Sequence, residues 1–228
     1  MNILGYKKIV VSETDRVVQF NNGQLTNILT PGVYRLMTAG KGSSFVNFSI
    51  SSGVFEIQNL DILFNKHEAL LSEHVELIKT GDTQIALTYL DGNLTDIIEP
   101  SSSKAFWKAR GLWEFEIIDM DGEFKVSDRL VKTLNLSRNT LIRNKADSFI
   151  RYVEVAQNTT ALVTECGDLI ETLGSGRYGF WKIGRNIDVK LVDGRQHNLD
   201  VAGQEILSKD RVSLRLNLSA QYLSLIHI

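Results

Sequence analysis

Cys166-Gly167-Asp168-Leu169, followed by Phe180-Trp181-Lys182, is the third appearance of one phrase in this chain. The first runs Asn22-Gly23-Gln24-Leu25 with Tyr34-Arg35-Leu36 behind it, and the second Asp91-Gly92-Asn93-Leu94 with Phe106-Trp107-Lys108. An alternating apolar run leads into each: Ile9-Val10-Val11 to Val17-Val18, Val75-Glu76-Leu77 to Ile85-Ala86-Leu87, and Val153-Glu154-Val155 to Ala161-Leu162-Val163. A strand pair joined at a glycine-containing turn, then a further apolar strand, explains all three. Gly23, Gly92 and Gly167 stand 69 and 75 residues apart, too far for a short solenoid repeat, so the reading is a small β module used three times.

Working outward, Thr30-Pro31-Gly32 marks a second turn in the first module, and Lys41-Gly42-Ser43-Ser44 a loop. Residues 59–73 place Leu60, Leu63 and Phe64, then Leu70 and Leu71, near helical spacing, which predicts a short amphipathic helix. The second module has a polar loop at Pro100-Ser101-Ser102-Ser103 and an alternating strand at Trp113–Ile117. Ser127-Asp128 then caps a predicted helix from Arg129 to Leu136, with Leu130, Val131 and Leu134 on one stripe. The expected fold class is therefore α+β: β module 1 with a linking helix over 1–73, β module 2 with a linking helix over 74–150, and a third unit over 151–228. That unit continues through Ser208-Lys209-Asp210, read as a turn, into a strand from Val212 to Ala220. Its alternation is expected to turn Val212, Leu214, Leu216 and Leu218 to one core.

With 43% hydrophobic residues, a 228-residue chain can bury a core, and a net charge of −2 with interspersed signs offers no basic stripe for nucleic acid. One cysteine excludes an internal disulfide. The start, Met1 to Lys8, lacks the apolar region of an export signal, and charged or polar residues interrupt every apolar run. A cytoplasmic setting is expected, with any membrane contact peripheral.

The pattern Asp193-x-Arg195-x-x-x-Leu199-x-Val201-x-Gly203-Gln204-Glu205-Ile206-Leu207-Ser208-Lys209-Asp210, leading by an alternating strand to Ala220-x-Tyr222, resembles the opening half of the stomatin/prohibitin/flotillin (SPFH, band 7) domain. More narrowly, it is similar to the bacterial slipins. The resemblance covers residues 150 to 222, and it rests on Asp193, Arg195, Gly203, Gln204, Glu205, Lys209 and Asp210. It implies a non-enzymatic, membrane-associated scaffold that forms homo-oligomers and organises membrane proteins, a membrane protease or channel among them. The chain departs from the family in lacking an apolar hairpin ahead of the domain. The match stops before the helical half, and Leu223-Ser224-Leu225-Ile226-His227-Ile228 reads as translated adapter sequence, so a truncated domain is expected.

Chemical sites have bland readings. His67 and His74 lie seven apart with Glu68 and Glu73 beside them, but HExxH spacing and a third ligand are missing, so a solvated helix face is expected and no metal. Cys166 has no CxxC partner and reads as a structural thiol. His197 with Asp193 and Asp200 lacks any nucleophile motif. Gly174, Gly176 and Gly179 fit Gly-x-Gly-x-x-Gly but lead into a strand, where a dinucleotide site would open a helix, so no cofactor is expected. Five Asn-x-Ser/Thr sequons read as chance matches without an export signal.

The aromatic pairs carry two readings. Tyr178, Phe180 and Trp181 beside Lys182 and Arg185, and Phe106 and Trp107 beside Lys104 and Lys108, suit contact with an anionic membrane surface or a partner. The same rings suit packing inside each β unit. A rival to the scaffold is a soluble module that binds peptides by strand addition at repeated sheet edges.

Overall fold

The computed structural model describes residues 6–37, 42–135 and 137–223 as a β-rich α+β protein with four helices and seven small antiparallel sheets among them. The first repeat holds β1 (Tyr6–Val11), β2 (Asp15–Asn21), β3 (Gln24–Leu29), β4 (Gly32–Met37) and β5 (Ser43–Ser49). The second holds β6 (Val75–Lys79), β7 (Gln84–Leu90), β8 (Asn93–Ile98), β9 (Ser103–Trp107) and β10 (Trp113–Asp119). The third holds β11 (Ile150–Val155), β12 (Thr159–Glu165), β13 (Asp168–Leu173), β14 (Gly176–Trp181) and β15 (Ile187–Asp193). In every copy the first strand pairs with the fourth, and the second lies between the third and the fifth.

Register repeats as well as order. Asn21↔Gln24, Leu90↔Asn93 and Glu165↔Asp168 close the hairpins, and a bulge follows at the same place in each, between Gln19 and Phe20, Thr88 and Tyr89, and Val163 and Thr164. The turns carry φ of 50° and 79° at Asn22 and Gly23, 51° and 76° at Asp91 and Gly92, and 52° and 100° at Cys166 and Gly167. Two successive positive φ values make the turn whose twist matches the flanking strands. Asn, Asp and Gly enter that region readily, whereas Cys166 does so at a cost.

The register also corrects one equivalence. Tyr6↔Met37, Val75↔Trp107 and Ile150↔Trp181 are matching pairs, so Leu36-Met37 corresponds to Phe106-Trp107 and Phe180-Trp181. Tyr34 corresponds instead to Tyr178, and the two hydroxyls donate to equivalent carbonyls, Thr30 at 2.9 Å and Gly174 at 3.2 Å. Matching Tyr34 to Phe106 and Phe180, aromatic to aromatic, displaces the first copy by two places.

The predicted helix over 59–73 is two helices, α1 (Leu60–Lys66) and α2 (Glu68–His74), broken at His67, whose φ is −129°. Next comes α3 (Asp128–Asn135), with Ser127 Oγ accepting from the Leu130 N–H at 3.5 Å. Then α4 (Thr140–Phe149), capped by Asn139, occupies a stretch with no helix in the sequence reading. Leu136, the expected last residue of α3, lies outside the described residues.

A short extended segment precedes each helix pair and joins the fourth strand of the repeat that follows. Phe55 N–H donates to Ala105 O, and Trp107 N–H to Gly53 O, both at 2.8 Å. In the third repeat Val126 N–H donates to Gly179 O at 2.8 Å, and Trp181 N–H to Phe124 O at 3.1 Å. The helices pack on the same strands: α2 on β6, α1 on β9, α4 on β11 and α3 on β14. The second helix pair packs on the repeat that follows it, whereas the first pair touches both neighbours, α2 meeting β3 as well as β6. The chain divides by contact into two compact units, Met1–Asp121 and Gly122–Ile228.

In the first unit both repeats share a core, in which Val18, Leu25 and Ile28 meet Phe55, Leu71, Val75 and Trp107. The Phe55 and Trp107 rings meet edge-on with centroids 4.9 Å apart, an arrangement worth about 0.5–1.5 kcal/mol beyond area burial. The second unit has its own core of Val155, Ala161, Val163, Leu173, Phe180 and Ile187. Its helices bury Leu130, Val131, Leu134, Ile142, Ala146 and Phe149. Close approach of α3 to β14 depends on Gly179, where an added Cβ would lie 2.8 Å from Val131 Cγ2.

After the third repeat come β16 (Gln196–Leu207) and β17 (Ser213–Leu223), a long antiparallel hairpin. The predicted strand and turn are present. The predicted core is not: Val212, Leu214 and Leu218 are 57%, 55% and 56% exposed. Period-two alternation defines a face, and it does not supply the element that covers the face.

Candidate interaction surfaces

The aromatic pairs do not form a contact surface. Phe106, Trp107, Phe180 and Trp181 are all buried, Trp107 and Phe180 in the cores just described and Phe106 in a cluster with Ala86 and Ile98, because the bridging segments and helices close over β9 and β14. Tyr178 is half-buried against the second core with the Lys125 ammonium 4.9 Å from its ring. Lys182 is exposed and donates to the Asp147 carbonyl. Arg185 donates to Gly122 O at 3.1 Å and lies 3.5 Å from the Glu165 carboxylate. These two cations serve as clasps between neighbouring segments of their own unit.

A run of exposed apolar residues lies on the hairpin. Leu199, Ile206, Leu207, Val212, Leu214, Leu218 and Tyr222 are all exposed, Leu207 at 72%. The hairpin also carries the resemblance. Gly203 sits in the register shift opposite Asn217, whose Oδ1 accepts from its N–H at 3.0 Å, and Gln204 and Glu205 follow in register with Leu216 and Arg215. Lys209 and Asp210 form the tip, where the Ser208 N–H donates to Val212 O and the Arg211 N–H to Ser208 O. Asp193 ends β15, and its Oδ1 accepts from the Arg195 N–H at 2.9 Å. The exposed Leu207 and Val212 flank the tip, which carries the cations Lys209 and Arg211. The alternation at 212–220 is the signal for this surface: it defines the apolar face, and the structure leaves Val212, Leu214 and Leu218 exposed on it.

A second surface was not legible in the sequence. An apolar groove of about 640 Å³ lies in the first unit, lined by Phe20, Val46, Phe48, Ile57, Ile62 and Leu63 together with Glu56, Lys66 and His67. Its lining comes from α1 together with β2, β5 and the segment at Glu56-Ile57, which are brought together only in the folded unit.

Titrating groups are scattered. No cluster of three or more His, Cys, Asp or Glu suited to a metal occurs among the described residues. His67 ends up at the junction of two helices and His74 at the end of α2, so the two do not share one helix face. Burial holds the His74 imidazole below its ordinary range, with Arg16 adding to the effect and Glu73 opposing it. Burial pushes the Tyr152 phenol up to about 12, with Asp147 adding to it. Hydrogen bonds from Lys79 and Ser103 hold the Asp61 carboxyl down. Cys166 is exposed in its turn. No helix among the described residues is long and apolar enough to cross a membrane.

No protein-family model matches this chain, and no curated protein matches it.

Proposed function

We propose that this chain is a non-enzymatic, membrane-associated scaffold of slipin/stomatin type, which organises membrane proteins from the cytoplasmic side and makes its contact through the β16–β17 hairpin. The observation that carries the reading is the tip, where Leu207 and Val212, 72% and 57% exposed, flank a turn bearing Lys209 and Arg211. Apolar side chains that can enter the headgroup boundary, next to cations that find lipid phosphates, suit an anionic surface. The residues that resemble the SPFH opening lie in or next to this same hairpin.

Vesicle flotation tests it. The chain is expected to float with vesicles containing anionic lipid, less with purely zwitterionic ones, and not at all as the double variant Leu207→Asp, Val212→Asp. A chain that stays at the bottom of the gradient with every lipid would remove the membrane from the reading. The rival, a soluble peptide-binding module, is favoured by the apolar groove beside α1. It predicts peptide capture that Leu63→Asp abolishes and the tip variants leave intact.

A further inference from the structure

The fourth strand of each repeat has an outer edge, and two of the three copies use it in the same way. Gly53-Val54-Phe55 covers β9, with Val54 opposite Phe106, and Phe124-Lys125-Val126 covers β14, with Lys125 opposite Phe180. In the first repeat the equivalent positions are Arg35, Leu36 and Met37 of β4. Among the described residues β4 pairs only with β1. Arg35 is exposed and Leu36 half-buried, whereas Ala105 and Phe106 are 0% and 1% exposed and Phe180 is 0% exposed.

The covering segment always follows the fifth strand of the preceding repeat. Val54 is five residues beyond Ser49, the end of β5, and Lys125 is six beyond Asp119, the end of β10. Six residues beyond Asp193, the end of β15, stands Leu199, 52% exposed on β16. We propose that Asn198-Leu199-Asp200 of one copy adds as a strand to the β4 edge of a second copy, Leu199 opposite Leu36, as the two internal segments add to β9 and β14.

Two features fit this occupant. At Ala105 and Gly179 the covering strand places an apolar residue, Phe55 or Val126, alongside a small one; at β4 the same juxtaposition sets Asp200 beside Arg35, and the charges are opposite. In the third repeat the small residue also admits a helix, since even a methyl group on Gly179 would crowd Val131 of α3. At that position β4 carries Arg35, a long exposed charged side chain, and the segment at Leu199 continues along β16 into β17 rather than into a helix pair. Addition to an exposed edge uses main-chain hydrogen bonds for affinity and alternate side chains for register. The contact is head-to-tail, so its products are rings or filaments. It supplies the scaffold reading with an assembly step but stands on strand geometry, without any need for lipid.

Sedimentation velocity in lipid-free buffer, over a concentration series, tests it. The 25.6 kDa chain is expected to form larger species as concentration rises. Arg35→Glu and Asp200→Arg alone each weaken association by roughly tenfold or more, as loss of a close charge pair does, and the double variant regains it. Leu207→Asp leaves association unchanged. As a second measurement, Leu36→Cys and Leu199→Cys in a Cys166→Asn background should give disulfide-linked dimers and higher species on oxidation with diamide. A chain monomeric at all concentrations, folded single variants that associate normally, a double variant no better than the singles, or cysteine variants that stay monomeric would each overturn the proposal. Flotation of a strictly monomeric chain would defeat this inference and leave the membrane reading standing, while self-association without flotation would do the reverse.

Discussion

Phe180 on β14 and Leu214 on β17 belong to the same alternating grammar, yet one is 0% and the other 55% exposed. On β14 the Phe124–Val126 segment and α3 close over the strand. On β17 Leu214, Leu218 and Tyr222 are exposed. Alternation sets which residues share a face, and the cover must come from elsewhere in the chain or from another molecule. The four buried aromatics teach the same lesson from the other side, because cations beside a ring in sequence say nothing about what lies over the ring.

The contrast is easiest to break with paired truncations. Phe180→Ala is expected to cost about 3–5 kcal/mol, the range for a buried aromatic, and Leu214→Ala less than about 0.5 kcal/mol, as for an exposed site, both by denaturant unfolding at low protein concentration. Comparable losses would mean that the hairpin is covered in solution. Next in size, Gly179→Ala should cost about 1–3 kcal/mol because β-branched Val131 has little room to yield. At the equivalent Ala105, replacement by Gly should cost only about 0.5–1 kcal/mol. If Gly179→Ala is neutral, the helix is not held at that distance.

Cys166→Asn, which restores the residue type found at Asn22, should stabilise the third repeat by roughly 0.5–1 kcal/mol, since Asn tolerates the left-handed conformation better. A loss in thermal midpoint would show that the thiol has a role in its turn. The smallest effect is a pH dependence. The folded state keeps the His74 imidazole below its ordinary value of 6.5, so the unfolded chain takes up the proton first as pH falls. Stability is therefore full above about pH 6.5 and declines below it, until the folded imidazole also protonates. His74→Gln should flatten that decline in melts between pH 7 and pH 5, and an unchanged slope would place the titrating group elsewhere.

Much of the architecture was legible because turn chemistry is local. Asn22-Gly23, Asp91-Gly92 and Cys166-Gly167 fixed three hairpins, and Leu130, Val131 and Leu134 announced α3. Most of what escaped depends on contacts distant in sequence. The break at His67 leaves no mark in the spacing of Leu60, Leu63, Leu70 and Leu71, while the stripe of α4, Ile142, Ala146 and Phe149, was legible at helical spacing and went unread. The bridges at Val54 and Lys125 each consist of one residue flanked by two hydrogen bonds, and no propensity records them. Of the surface features, the hairpin was visible as a strand and misassigned as core, and the groove beside α1 was not visible at all.

The bridging segments also set where this protein can be cut and rejoined. The exchangeable cassette begins with the strand that docks ahead of the helices, near Gly53 and again near Gly122, and ends with the fifth strand. Chimeras spliced at those points would carry each fourth strand together with its own cover. Splices at the start of β6 or β11, where the helices end and the repeat appears to begin, would separate the two and leave Trp107 or Trp181 with a neighbour from the wrong parent.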